Sequence, residues 1–371
     1  MSKRPELIVS ECDTPNLLID ADVMEQNLAL MAGFFSGKKA SLRAHTKVHK
    51  SPFLAHLQLA AGSKGITCAK VGEAEVMVQS GINDILIANE VVGDLKTDRL
   101  ARLAKHSRLM VAVDSVANAR QLSAQAVKYE SKIGVLVDLN LAATTKLKGI
   151  LDRCGVAPGK SAVDLAQAVS KLQGLEFMGV MGYEGGLPDL EDLNESRALA
   201  RRALGYLTET ADSIRDSGLK VDVVSSAGTT SYKVAGEHPG ITEIQAGSYL
   251  LMDVFHHRFS PEFGYALSLL TTVVSRPAPQ RVIADAGGTA ISGDAGLPVV
   301  KGRPDLEVVE LDAEHIHVVS SNVGSQPMVT EKLELLPTNI DTTTCLHDYY
   351  TMVRKSKVEM IVDIPARGKF Q

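Results

Sequence analysis

Short apolar runs alternate regularly with stretches of helical periodicity, and this order limits what the chain can fold into. Residues 16–20 (NLLID) read as a strand, and 21–36 follow with apolar residues at helical spacing and an acidic first turn. Further strand candidates sit near 40–45, 65–69, 84–88, 108–113, 132–138, 176–182, 221–225 and 242–246. Helical stretches fall between most of them, at 50–61, 71–80, 95–106, 115–127, 160–173 and 190–217. Runs such as 133–137 (IGVLV) are apolar throughout, as expected of strands buried on both faces. About eight parallel strands with covering helices define an α/β fold. A closed (β/α)8 barrel of TIM type and an open doubly wound sheet both fit this order. The barrel is favoured, because the first strand–helix turn lacks a GxGxxG fingerprint and residues 16–257 approach typical barrel length. After about residue 260, Val-, Leu- and Thr-rich runs at 265–275, 280–285, 306–311, 315–320 and 357–363 alternate with Gly, Pro and Asp turns. A C-terminal mainly β domain is therefore expected from 258–371 together with 1–15.

Composition narrows the partners. The formal net charge of −5, with both signs interspersed, argues against nucleic acid and anionic membrane. No apolar tract reaches the length of a membrane span, and the start of the sequence is polar. The four cysteines, Cys12, Cys68, Cys154 and Cys345, are far apart, and no CxxC pair occurs. A reduced, cytoplasmic protein is expected.

Two segments carry chemistry. In 42–50 (LRAHTKVHK), Arg43, His45, Lys47 and His49 occupy alternate positions, hence one face if the strand continues through them. A lysine near the end of a barrel strand could be desolvated and so become a nucleophilic amine; a solvated basic edge strand is the alternative. Later, 225–231 (SSAGTTS) follows a strand candidate, and its small hydroxyl residues and glycine suit a phosphate-binding turn. Residues 243–249 (EIQAGSY), ending in Ser248 and Tyr249, could add donors from the next loop. A lysine on an early strand and a phosphate cradle after late strands would grip a phosphorylated aldehyde at both ends.

The segments DTPNLLID, RAHTKVHKSP, CAKVGEAEV, ILIANEVV, RCGVAPG, GYEG, IQAGSYLLMD and DAGGTAIS…GLP, in order from about Cys12 to Arg367, together resemble the D-threonine aldolase family. That group includes D-serine dehydratase and the 3-hydroxy-D-aspartate aldolases and dehydratases. The resemblance implies the alanine racemase fold and pyridoxal 5′-phosphate bound as a Schiff base on Lys47. It implies cofactor or substrate contacts from Arg153 and Tyr183, and phosphate contacts from Ser226, Gly228, Thr229, Gly247 and Ser248. His45 and His49 are candidates for the general base. The implied reaction is cleavage of a small β-hydroxy-D-amino acid to glycine and an aldehyde. A homodimer is implied too, the β domain of one subunit closing the barrel mouth of the other. Ala69 in CAKVGEAE, where the dehydratases often carry glutamine, leans towards the aldolases.

Three departures stand out. The family's metal pair, P-x-H-x-(C/D), reads Pro337-Thr-Asn-Ile-Asp341 here, so Asn339 replaces the histidine and Asp341 keeps the carboxylate. An amide oxygen can bind Mg²⁺ or Ca²⁺ but is a poor ligand for Zn²⁺ and other metals that favour imidazole, so a divalent metal of the Mg²⁺ or Mn²⁺ kind is the one expected there. Cys345 and His347 stand nearby as possible substitutes, with ordinary structural roles as the simpler reading. Gly186 replaces the histidine of the relatives' GYEGH, and 139–152 departs from the shorter family segment. His256–His257 and the pair His315 and His317 read first as loop and strand residues, Glu73 and Glu75 as helix-start residues, and Asp138 as a strand-end residue that could orient Arg153. The alternatives to aldolase are a metal-dependent dehydratase, a racemase using Tyr249 or Tyr265, and a protein that binds the cofactor without turnover.

Overall fold

Strand pairing sorts the chain into two units, and the first strand goes to the one that sequence order did not suggest. The structure, a computed structural model, describes residues 7–143, 150–185, 192–322, 324 and 326–371. One unit comprises Ala32–Lys47, Leu54–Gly247 and Gly368–Gln371; the other comprises the described residues of Met1–Met31 with Val48–Phe53 and Ser248–Arg367. The first strand, β1 (Asn16–Asp20), pairs antiparallel with Leu267–Ala278 and parallel with Tyr349–Arg354. Leu17, Leu18 and Ile19 are all buried, as befits a strand with neighbours on both sides. The sequence-based boundary at residue 16 counted this strand with the barrel, and the boundary at 257 did the same for Ser248–His257; both stretches fall in the β unit.

The barrel needs no ninth strand. It is built from β2 (Ser41–His45), β3 (Gly65–Cys68), β4 (Asp84–Glu90), β5 (Arg108–Val113), β6 (Ile133–Leu139), β7 (Leu175–Gly182), β8 (Val223–Ser226) and β9 (Glu243–Ile244). All pairings are parallel, and β2 closes on β9 through Ser41↔Glu243 and Leu42↔Ile244. This confirms the closed barrel over the open sheet. Inward positions of β4 to β8 supply a dry cluster of Leu86, Met110, Ala112, Leu136, Met178, Met181 and Val223. Helices such as Val116–Lys128 and Leu193–Asp216 fall where helical periodicity placed them. Each begins with a side-chain cap, Ser115 and Asp192 respectively.

Arg43 is not at the barrel mouth. It is fully buried, bonded to Glu243 at 2.9 Å by both Nε and Nη2, and to Asp84 Oδ1 at 2.5 Å. Asp84 and Glu243 begin β4 and β9, so this network plugs the N-terminal end of the barrel. Gly65 is required beside it: a Cβ there would sit 2.3 Å from Arg43 Nη1. Burial pushes the Glu243 carboxyl up, but its bonds to Arg43 and to Lys64 outweigh this and leave it below the ordinary value. A carboxyl lowered in the folded state contributes stability at neutral pH and loses it as pH falls through the folded value. Glu243→Gln strands a buried guanidinium and is expected to cost about 3–5 kcal/mol in denaturant unfolding at neutral pH. The deficit should shrink in acid.

The other unit is a nine-stranded, mainly antiparallel sheet. Its strands after β1 are β10 (Leu267–Ala278), β11 (Arg281–Ala284), β12 (Val299–Val300), β13 (Leu306–Leu311), β14 (Ile316–Ser320), β15 (Lys332–Leu336), β16 (Tyr349–Arg354) and β17 (Lys357–Asp363). Their order is β13-β14-β11-β10-β1-β16-β17, with β15 joining β10 to β12.

Candidate active site

Lys47 stands just beyond the C-terminal end of β2, inside a 3-10 turn, Thr46–Val48. The turn is pinned by Thr46 Oγ1, which donates to Thr67 O at 3.0 Å. Because the strand stops at His45, the alternation through Lys47 and His49 is broken, and the four residues do not share one strand face. Lys47 is half-buried. The His45 ring turns back locally, its Nδ1 accepting the Lys47 N–H at 3.4 Å. His49 belongs to the β unit and is fully buried, with Nδ1 accepting the Ser51 N–H at 3.1 Å. A neutral ring whose Nδ1 accepts a backbone N–H carries its proton on Nε2.

All eight strands are parallel, so residues following β6, β7, β8 and β9 lie at the same end of the barrel as Lys47. Arg153 follows β6, and its guanidinium lies 5.4 Å from the ring centroid of Tyr183, which follows β7. The Tyr183 hydroxyl is 3.5 Å from where a Cβ on Gly228 would sit, in the loop after β8. Three residues from three loops are thereby brought together. Gly247 passes against the end of β2: a Cβ there would lie 2.5 Å from His45 O, and Ala246 O accepts the His45 N–H at 3.1 Å. Only glycine allows that approach.

The loop after β8 is built on a residue that sequence reasoning passed over. Glu184 is fully buried and accepts from Ser226 Oγ at 2.8 Å, from Ala227 N at 3.2 Å and from Ser231 Oγ. It holds Ala227 at φ 69°, which turns the loop sharply at Gly228 and Thr229. The Ser226 hydroxyl also reaches Gly182 O at 2.6 Å, so its single proton stays within the protein. The signal was present, since Glu184 is the acid of GYEG, but its role depends on contacts more than forty residues away. Thr229 is buried.

Ser248 and Tyr249 fall in the β unit, in the 3-10 turn Ser248–Leu250. Ser248 Oγ lies 3.2 Å from His256 Nε2, and His256 Nδ1 is 2.7 Å from buried Asp253. The Tyr249 ring packs 5.7 Å from Phe263, as a core residue of that unit. Tyr265 stacks on His257 at 4.4 Å. His315 is exposed, and His317 sits 2.9 Å from both Glu310 and Asp312.

The metal pair finds a different use. Asn339 caps the helix Ile340–Thr344: its Oδ1 accepts the Asp341 N–H at 3.0 Å and its Nδ2 donates to Asp294 at 3.1 Å. Cys345 Sγ turns to Asp341 O at 3.2 Å, and His347 Nε2 to Ala290 O at 2.7 Å. Burial holds His347 below its ordinary pKa. Asn339, its amide oxygen taken up by a helix cap, supplies no imidazole, so a metal that favours imidazole does not fit the Asn339 and Asp341 pair, whereas the His347 bond to a carbonyl engages only one of its two ring nitrogens. Among the described residues, the group of His, Cys, Asp or Glu that does gather is Glu90, Asp138 and Cys154, with donor atoms within 4.8 Å of one another. Gly186 and positions 144–149 of the divergent segment lie outside the described residues. Also among the described residues, no helix is long and apolar enough to cross a membrane.

A parallel barrel with a lysine beyond its first strand and a glycine-containing loop after its seventh, in a chain that also carries an antiparallel β unit, is the architecture of the alanine racemase class. The alanine racemase N-terminal domain model matches residues 19–254, and the putative serine dehydratase domain model matches 266–353. The 3-hydroxy-D-aspartate aldolase of Paracoccus denitrificans (strain Pd 1222) is 35% identical, over 98% of this chain and 95% of its own. The D-threonine aldolase of Arthrobacter sp. is 36% identical, over 97% and 94%. The crystal structure of D-threonine aldolase from Filomicrobium marinum superposes with a TM-score of 0.94 at 36% identity, covering 100% of both chains. Dehydratases are more distant matches. The chain belongs to the D-threonine aldolase and 3-hydroxy-D-aspartate aldolase family of pyridoxal-phosphate-dependent lyases.

Proposed function

We propose that this protein cleaves a β-hydroxy-D-amino acid of the D-threonine type to glycine and an aldehyde, with pyridoxal 5′-phosphate held at Lys47. The observation that carries this reading is full-length likeness to two β-hydroxy-D-amino acid aldolases, in a chain whose Lys47 stands at the C-terminal end of the barrel. The residues present fit the cofactor. The Lys47 amine is placed to take up the aldehyde, the glycine-containing turn at Gly228 and Thr229 would face the phosphate, and the Tyr183 ring offers a flat face. Ser248 and Gly247 are retained as phosphate contacts on the family resemblance. Bound there, the cofactor supplies an electron sink for the charge left when the Cα–Cβ bond breaks.

The chain's own groups divide the remaining work. Arg153, exposed beside the Tyr183 ring, supplies positive charge for an anionic group. With Nδ1 accepting the Lys47 N–H, His45 carries its proton on Nε2 and is not the base. The Lys47 amine would then be the group that takes up the β-hydroxyl proton. No step is routed through a metal at Asn339 and Asp341, which together offer no imidazole donor. A homodimer is part of the same reading, and light scattering tests it.

A dehydratase reading has one observation in its favour, the match of residues 266–353 to a serine dehydratase domain. A product assay on D-threonine and 3-hydroxy-D-aspartate decides between them. Glycine and an aldehyde in equal amounts are expected; a keto acid and ammonia would replace the aldolase reading with the dehydratase one.

A further inference from the structure

The backbone on the two sides of Lys47 is held by different parts of the chain. Before it lie β2 and the turn residue Thr46, bonded to Thr67 O at 3.0 Å. After it, Val48–Phe53 belongs to the β unit. Three successive carbonyls of that stretch each accept a bond from later residues of the same unit. Val48 O accepts from Thr344 Oγ1 at 2.9 Å, His49 O from Tyr350 Oη at 2.9 Å, and Lys50 O from the Ala366 N–H at 3.1 Å. The Thr344 and Tyr350 hydroxyl oxygens lie 3.2 Å from each other. Thr344, Tyr350, His49 and Ser51 are fully buried, and Lys50 has a φ of 51°. A lysine keeps that left-handed backbone only where its surroundings impose it.

The two hydroxyl donors are themselves fixed. Tyr350 stands on β16, which pairs with β1 on one side and β17 on the other. Thr344 ends the helix Ile340–Thr344, whose first turn Asn339 caps. A lysine side chain is long and rotamer-rich, so its amine meets an aldehyde in one geometry only if the backbone carrying it is fixed on both sides. We propose that Thr344 and Tyr350 are positioning residues for Lys47: by holding Val48 O and His49 O, they fix the turn from which the amine reaches the aldehyde of pyridoxal phosphate. The proposal rests on the cofactor reading above.

Two ligands separate positioning from packing. One is pyridoxal phosphate. The other is 4′-deoxypyridoxine 5′-phosphate, with the same ring and phosphate but a methyl group in place of the aldehyde. Equilibrium binding of both is measured on cofactor-free wild type, Thr344→Val, Thr344→Ser and Tyr350→Phe. Thr344→Val and Tyr350→Phe are each expected to bind pyridoxal phosphate about tenfold more weakly, the scale of one lost hydrogen bond, with affinity for the deoxy compound unchanged. Their borohydride-sensitive absorbance should also form more slowly. Thr344→Ser, which keeps the hydroxyl, should match wild type. Equal losses for both ligands, or wild-type affinity for pyridoxal phosphate in Thr344→Val, would reduce the hydroxyls to packing and overturn the proposal. If Tyr350→Phe does not fold, the Thr344→Val and Thr344→Ser pair decides alone. A wild type that takes up no pyridoxal phosphate refutes the proposed function itself; a wild type that takes it up, with variants that equal it, refutes the positioning role alone.

Discussion

Lys47→Ala is expected to lower kcat/KM by about 10⁴-fold or more, the scale on which removing a group that forms the covalent intermediate acts. The visible absorption of the holoenzyme, and its loss on borohydride treatment, should vanish with it. The fold should survive. Lys47 is half-buried in a 3-10 turn whose side-chain anchor is Thr46, bonded to Thr67 O, and the β2–β3 register beside it runs through backbone bonds. The Thr46 anchor and the β2–β3 backbone bonds do not pass through the truncated side chain. Circular dichroism and thermal unfolding should therefore match wild type. A variant that keeps the borohydride-sensitive band would place the covalent link elsewhere, and retained turnover would remove Lys47 from the mechanism.

The second large effect is expected at Glu184, a residue that need touch neither substrate nor cofactor. Its two carboxylate oxygens collect the Ser226 hydroxyl, the Ala227 N–H and the Ser231 hydroxyl in a fully buried setting. Glu184→Gln turns one acceptor oxygen into an N–H₂ group that faces a donor. Unmade bonds at buried groups cost about 1–3 kcal/mol each, more where a charge is involved. With Ala227 held at φ 69° by this carboxylate, the loop is expected to relax and lose its grip on phosphate. Pyridoxal phosphate should dissociate roughly 100-fold more readily, which corresponds to about 2.7 kcal/mol. Pyridoxal, which lacks the phosphate, should bind with little change. Equilibrium dialysis of both ligands separates a phosphate-loop role from general destabilisation: equal losses would mean that Glu184 merely supports the barrel.

Much of the architecture was legible in local pattern. Every barrel strand falls within a few residues of its apolar run, because a strand buried on both faces must be apolar whatever its partner. Residues 16–20 were legible as a strand but not as a member of the β sheet. Pairing with strands some 250 and 330 residues later leaves no local trace. The basic stretch at 42–50 shows the same limit more sharply. Arg43 and Lys47 look alike in an alternating pattern, yet one closes the bottom of the barrel against Glu243 and the other stands beyond the top of its strand. Asn339 carried an informative signal, a missing histidine, but its use as a helix cap appears only once Asp294 is placed beside it.

By itself the sequence determined the order and kind of the elements, the lysine that the family resemblance singles out, and the glycine-containing loop after β8. Those depend on periodicity, residue type and motif, all of which are local. Tertiary structure alone decided which sheet takes the first strand, which buried acid holds the Ser226–Ser231 loop, and which two carboxyls meet near Cys154. The physical reason is that hydrogen bonds and charge–charge contacts act over a few ångströms between residues distant in the chain. Burial first, and then Glu90, forty-eight positions earlier, raise the pKa of the Asp138 carboxyl, and its immediate sequence reveals neither.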